Sequence, residues 1–166
     1  MKYIMMVGIP GSGKSTYCKE VVWFINNQAD KKIAWISRDE VRFSLLKDTD
    51  QYFSKEKEVY KEFINRIKKA AAEGNDVLID ATHLNHASRM KTVNALGLKP
   101  EDFTILWVNV PFEVCFDRNA KREGITRVPD QQMYAMKNRF QRPAYYEGWA
   151  EIYVYDGKLV RKVTKK

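Results

Sequence analysis

Gly8-Ile9-Pro10-Gly11-Ser12-Gly13-Lys14-Ser15 fills every fixed position of GxxxxGK(S/T). The run before it, Lys2 to Ile9, is short and apolar and is stopped by Pro10-Gly11, which predicts a buried strand. The run after it, Lys14 to Gln28, carries Val21, Val22, Phe24 and Ile25 and predicts a helix with Ser15 and Thr16 in its first turn. Glycines at 8, 11 and 13 let the backbone turn its N–H groups toward an anion, where side chains would block the approach. The helix start adds unpaired N–H groups and the positive end of its dipole. A loop of this kind holds nucleotide phosphates. Gly8, Gly11, Ser12, Gly13, Lys14, Ser15 and Thr16 are therefore the candidate ATP-binding residues, with Lys14 reaching the β- and γ-phosphates and Ser15 ligating Mg²⁺. The alternative is a glycine-rich turn without a ligand.

Outward from this loop, strands and helices alternate. Lys32 to Ile36 is a second apolar run, ended by Ser37-Arg38-Asp39. Ser54 is a candidate N-cap for a helix reaching about Glu73, in which Val59, Phe63 and Ile67 recur at helical spacing, Glu62 sits four before Arg66, and Gly74 supplies the stop. Asp76 to Asp80 predicts a third strand, Ser88 to Leu96 a short helix, and Phe103 to Val110 a fourth strand with Pro111 and Glu113 opening the next helix. Gln131 to Phe140 predicts another helix. Ala150 to Tyr155 predicts a strand whose Asp156-Gly157 ending turns Leu159 to Val163 back as an antiparallel edge. Continuous apolar strands between helices indicate an α/β fold of P-loop NTPase type, a parallel sheet with helices on both faces.

With 166 residues, 45% hydrophobic and 30% charged, one globular domain over 1–166 is expected, without repeats or a disordered tract. The apolar runs are far shorter than the roughly 18 residues of a spanning helix, so no membrane association is expected. Cys18 and Cys115 lie outside any CxxC pairing, which argues against a disulfide framework or zinc site, and the apolar start lacks a cleavage site. A cytoplasmic location follows. The net charge of +8 makes a polyanionic partner plausible without identifying one.

Two nucleotide-hydrolase classes are excluded by missing signatures. The nearest approach to the NKxD base-recognition motif of GTPases is Asn119-Ala120-Lys121-Arg122, and no LSGGQ-like run exists. A kinase needs an acceptor site instead. Asp39 stands at a strand-to-helix corner with Arg42 three residues on, hence on the same helix face. In a doubly wound sheet the strands' carboxyl ends share one rim, so Asp39 faces the crevice of the phosphate loop. Asp39 can take the proton from an attacking hydroxyl while Arg42 holds an anionic group; the alternative is a capping aspartate with a surface ion pair. Asp80, at the tip of an apolar strand, is placed for Mg²⁺ or its water ligands. Thr82, His83 and Asn85 follow on that rim, as acceptor-pocket lining or as turn formers.

Seven basic residues (Arg118, Lys121, Arg122, Arg127, Lys137, Arg139, Arg142) and three acids (Asp117, Glu123, Asp130) occupy 117–142. Arg118 and Arg122, four apart, are expected on the helix after the fourth strand, a like-charge pair that an anion would relieve. A lid over ATP at about 115–142 supplies that anion, and a solvated basic face is the alternative. Residues 158–166 form a basic tail.

Gly8 to Thr16, Ser37-Arg38-Asp39-Glu40-Val41-Arg42, Leu78-Ile79-Asp80-Ala81-Thr82-His83-Leu84-Asn85, and Arg118-Asn119-Ala120-Lys121-Arg122-Glu123-Gly124 with Val128-Pro129 together resemble the 5′-hydroxyl polynucleotide kinase domain of phage type. The resemblance covers about residues 2 to 155. It implies that Asp39 is the general base, that Arg42 engages phosphate at the acceptor site, that Asp80 belongs to the metal shell, and that Arg122 contacts the nucleotide phosphates. It implies ATP and Mg²⁺ as cofactors and a nucleic acid with a 5′-hydroxyl end as partner. A small-molecule or nucleotide-sugar acceptor, as in zeta-toxin-like kinases, keeps the same chemistry, and a non-catalytic ATP-binding switch is a different class. Two departures stand out: Asp48-Thr49-Asp50-Gln51-Tyr52 lacks the threonine of the DxDxT phosphatase motif often fused to such kinases, and Glu123 alters the lid pattern.

Overall fold

A computed structural model describes residues 2–28 and 30–166. Six strands, β1 (Tyr3–Val7), β2 (Ile33–Ser37), β3 (Asp76–Asp80), β4 (Phe103–Val108), β5 (Glu151–Tyr155) and β6 (Val160–Lys162), form one sheet in the order β2-β3-β1-β4-β5-β6. All neighbours are parallel except β5 and β6. The helices are α1 (Lys14–Asn26), α2 (Arg38–Leu45), α3 (Glu56–Ala72), α4 (His86–Ala95), α5 (Phe112–Ala120) and α6 (Asp130–Arg139).

The period of two along each strand assigns the two faces. Met5, Val7, Val77, Ile79, Ile105 and Trp107 face the layer of α3, whose Val59, Phe63 and Ile67 are fully buried. Met6, Leu78, Leu106 and Val108 face α1 and its buried Cys18. Each central strand thus reads as an unbroken apolar run because both of its faces are covered. A third cluster of Tyr52, Cys115, Val128 and Met133 joins α5 and α6 to the loop before α3.

Several boundaries depart from the periodicity. α3 begins at Glu56 without a side-chain cap, and Ser54 instead donates to the Gln51 carbonyl at 2.7 Å. α4 starts two residues early because Asn85 and Ser88 form a reciprocal capping box. α5 ends at Ala120, so Arg122 lies in the turn beyond the helix, not one helical turn above Arg118 as the spacing suggested. The basic end is part of the sheet as far as Lys162, which pairs with Glu151 at 2.6 Å. The expected Asp156-Gly157 hairpin is present: Asp156 accepts from the Lys158 and Leu159 amides, and Gly157 has φ +99°. No helix among the described residues is long and apolar enough to cross a membrane.

Candidate active site

The phosphate loop leaves β1 at Gly8, whose amide donates to the Thr82 carbonyl at 3.1 Å and so ties the loop to the chain after β3. A Cβ on Gly8 would stand 2.9 Å from Ser12 Oγ and 3.1 Å from the Val108 carbonyl. Gly11 has φ +82°, and a Cβ there would come within 2.3 Å of the Cys115 carbonyl. Glycine at 11 is therefore demanded by the seating of α5 against the loop as well as by the left-handed turn, a reason the motif did not disclose. Among the described residues, no acceptor takes the amides of Gly13, Lys14, Ser15 or Thr16. These donors open together at the N-terminus of α1, where the helix dipole is positive. Ser12 is buried with its hydroxyl unpartnered, Lys14 is buried, and Ser15 and Thr16 are exposed.

Across the rim, β2 delivers Asp39 into the first turn of α2. Ser37, not Asp39, caps that helix by accepting from the Glu40 amide at 3.2 Å, so the aspartate is free of capping duty. Its carboxylate accepts from Arg42 and, at 3.1 Å, from the Tyr52 hydroxyl. Arg42 is only 4% exposed, and Glu56 on α3 takes its Nε at 2.7 Å and its Nη2 at 3.1 Å. Tyr52 also accepts from Arg42 and lies under its guanidinium, which is 4.6 Å from the ring centre. Four of the five guanidinium N–H groups are thereby engaged within the protein. Glu56 and Tyr52 carried no sequence signal because both lie on a separate segment that only the tertiary fold brings to Arg42.

Asp80 ends β3 directly opposite Ser37 and is 4% exposed. Burial pushes its carboxyl up, while the Lys14 charge and a hydrogen bond from Trp35 act in the opposite sense. Cys18, one turn after Lys14, is held as a thiol by burial and by the Asp80 charge. Lys14, Asp39, Arg42, Asp80 and Thr82 line one cavity, with Arg38, Tyr52 and Glu56 on its walls. Arg122 shares an adjoining space with Asp39, Lys14 and Ser15, although it is not helical. Arg118 and Arg122 also border a second cavity with Gly11, Gly13, Thr16, Tyr17 and Tyr155, and Arg118 Nη1 donates to the Gly11 carbonyl at 3.3 Å. The candidate residues taken from four separate stretches thus converge on one rim.

Of Thr82, His83 and Asn85, only Thr82 reaches the cavity. His83 is buried at φ +42°, with Nδ1 donating to the Met6 carbonyl at 2.8 Å and Nε2 3.2 Å from the Thr92 hydroxyl. Burial pushes its pKa down to about 3, against the pull of the Met6 carbonyl. Asn85 caps α4. Two further groups carried no local signal. Asn119 clamps the lid by exchanging two hydrogen bonds with Val128, at 2.8 and 3.0 Å. The buried Arg89 pairs with Glu147 at 2.8 Å and donates to the carbonyls of His83 and Gln141, tying the chain after β3 to the chain after α6.

The chain is 29% identical over 132 residues to a protein of Autographa californica nuclear polyhedrosis virus whose name describes a bifunctional polynucleotide kinase/RNA ligase. That match takes in 72% of this chain but only 18% of the viral protein. Among solved structures, Chaetomium thermophilum Kti12 in complex with ADP-AlF3 superposes with a TM-score of 0.71 at 14% identity, over 93% of this chain and 89% of that one. A chain of the Pnkp1/Rnl/Hen1 complex gives 0.55 at 23% identity over 79% and 42% of the two chains. A gluconokinase from Sinorhizobium meliloti 1021 gives 0.58 at 16% identity over 93% and 82%. Residues 4–143, which span the phosphate loop, Asp39, Asp80 and both lid arginines, match the family described as an AAA domain (AAA_33), and the chain belongs to that family as a P-loop kinase resembling polynucleotide kinases.

Proposed function

We propose that this chain is an ATP-dependent kinase that transfers the γ-phosphoryl group to a hydroxyl, the 5′-hydroxyl of a polynucleotide being the favoured acceptor. The observation that carries the reading is the Asp39 carboxylate, uncommitted to capping, in one cavity with Lys14 and Asp80. The viral relative's name and the Pnkp1 likeness support a polynucleotide acceptor. The gluconokinase likeness, which spans most of both chains, favours a small-molecule acceptor as the second reading. Residues 1–166 act as one kinase unit with its lid at about 115–142, and the free, buried thiols of Cys18 and Cys115 suit a reducing cytoplasm.

The residues present fit a Mg²⁺-nucleotide. The glycine cradle that a Cβ would fill and the four free amides suit phosphate oxygens, and the Ser15 hydroxyl with the Asp80 carboxylate is a hard-oxygen set. When bound, Mg²⁺ neutralises charge on the β- and γ-phosphates. Lys14 and the loop amides hold those phosphates in place. Asp39 accepts the proton of the attacking hydroxyl as its oxygen bonds to the γ-phosphorus and the bond to the bridging oxygen breaks. Arg42, fixed by Glu56, aims Asp39 and lines the cavity in which an acceptor anion would sit. Arg122 meets the charge that develops between Lys14 and Asp39.

Incubation with labelled ATP, Mg²⁺, a 5′-hydroxyl oligonucleotide and a metabolite pool tests this. Label is expected on the oligonucleotide, and Asp39→Ala is expected to lose about 10²–10⁴-fold in rate while still binding nucleotide. Label only on a metabolite would move the acceptor to the second reading, and full activity of Asp39→Ala would refute the base.

A further inference from the structure

Trp35 lies on β2 opposite Leu78, and Ser37, two residues on, lies opposite Asp80. Side chains two apart share a face, so Trp35 and Asp80 are diagonal neighbours on the α1 side, a separation that a long aromatic side chain spans. Trp35 Nε1 donates to Asp80 Oδ2 at 3.1 Å. The half-buried indole packs against the α1-side core cluster that contains Cys18 and Leu78, and this packing aims its N–H.

Asp80 is 4% exposed and makes no ion pair within the described residues; Trp35 Nε1 donates to it, and the buried Cys18 thiol also lies against the carboxylate. A buried carboxylate is held in one rotamer by the hydrogen bonds it accepts. Trp35 takes Oδ2, and Asp80 also lines the cavity that it shares with Lys14. We propose that Trp35 is a positioning residue, whose indole N–H fixes the Asp80 carboxylate so that its other oxygen faces the divalent cation accompanying the nucleotide phosphates. This rests on the P-loop kinase reading for the cation and is independent of the acceptor.

Partners that orient a metal-ligating group commonly contribute 10–100-fold in metal affinity. Trp35→Phe keeps the ring packing and deletes the N–H, so the Mg²⁺ concentration giving half-maximal tightening of ADP binding is expected to rise roughly tenfold or more. Binding of ADP in EDTA is expected to be unchanged. Trp149→Phe is the control. It deletes a comparable bond, Trp149 Nε1 to Glu147 Oε2 at 2.9 Å, away from the phosphate loop. It is expected to lower stability and leave the Mg²⁺ midpoint alone. In the wild-type chain, the Trp35 indole ¹H–¹⁵N resonance, assigned by its loss in Trp35→Phe or by elimination with Phe variants of the other three tryptophans, is expected to move when Mg²⁺ is added to the ADP-bound protein. An unmoved resonance, or a Trp35→Phe midpoint equal to wild type, overturns the proposal with the kinase reading intact. Failure of wild type to bind ADP with or without Mg²⁺ overturns both.

Discussion

Replacing Glu147 by Gln is expected to destabilise the fold by about 3–5 kcal/mol, although it changes one atom in a residue that lines none of the site's cavities. The Glu147 side chain is fully buried. Its Oε1 accepts from Arg89 Nε at 3.0 Å, Arg89 Nη2 at 2.8 Å and His86 Nδ1 at 2.8 Å. Its Oε2 accepts from the Ala144 amide at 2.8 Å and Trp149 Nε1 at 2.9 Å. Burial alone would raise its pKa, yet these donors hold it below the ordinary carboxylate range. A carboxamide has one acceptor oxygen. If that oxygen faces Arg89, the new NH₂ confronts the Ala144 and Trp149 donors, and two buried N–H groups go unpaired at about 1–3 kcal/mol each. In either orientation the neutral amide leaves the buried Arg89 guanidinium without its counter-charge, at about 3–5 kcal/mol, and with the oxygen turned the other way the NH₂ also confronts the Arg89 and His86 donors. Neither orientation escapes a cost comparable with a large part of the roughly 5–15 kcal/mol that holds a domain folded. Urea unfolding followed by tryptophan fluorescence measures the difference directly. A loss below about 1 kcal/mol with an unchanged slope would refute the claim that this buried carboxylate is the saturated centre of its network.

Two more outcomes follow from the loop and the lid. Gly11→Ala is expected to cost about 1–2 kcal/mol for the left-handed backbone, and more for the clash with the Cys115 carbonyl, and to abolish detectable ATP binding because α5 must move off the loop. Thermal unfolding and ATP titration check both, and wild-type affinity would contradict the seating argument. Arg122→Ala is expected to slow transfer by about 10³-fold or more with little change in the unfolding midpoint, measured as single-turnover rate at saturating ATP.

What could be anticipated from the chain alone was what is local. The phosphate loop is eight consecutive residues, and the buried strands declare themselves as apolar runs because both faces of the sheet are covered. The Asp39–Arg42 spacing was informative for the same reason, one turn of helix. What could not be anticipated depends on contacts across the chain. Glu56 reaches Arg42 over 14 positions and Glu147 reaches Arg89 over 58, and no periodicity encodes such separations. Gly11 was the right residue with an incomplete reason, since the carbonyl it avoids belongs to α5. Arg122 was misplaced because the helix carrying Arg118 ends at Ala120, in a stretch with no glycine or proline before Gly124 to announce it. His83 stood between pocket lining and turn forming, because its rim position was readable and the inward turn of its backbone was not.

That inward turn makes the floor beneath the phosphate loop acid-labile. His83 stays neutral in the native protein until about pH 3, because burial opposes its charging and the neighbouring positive charges of Arg38, Arg89 and Lys14 add to that opposition. In the unfolded chain the same ring takes up a proton near its ordinary value of about 6.5. Between those two values the unfolded state binds the extra proton, so native stability falls as the pH drops, by up to about 1.4 kcal/mol for each unit. The decline stops once the pH passes below the native value, where the ring is charged in both states and its bond to the Met6 carbonyl must survive as an imidazolium. A histidine with no part in the chemistry thus sets a lower pH boundary for the strand end from which the phosphate loop departs.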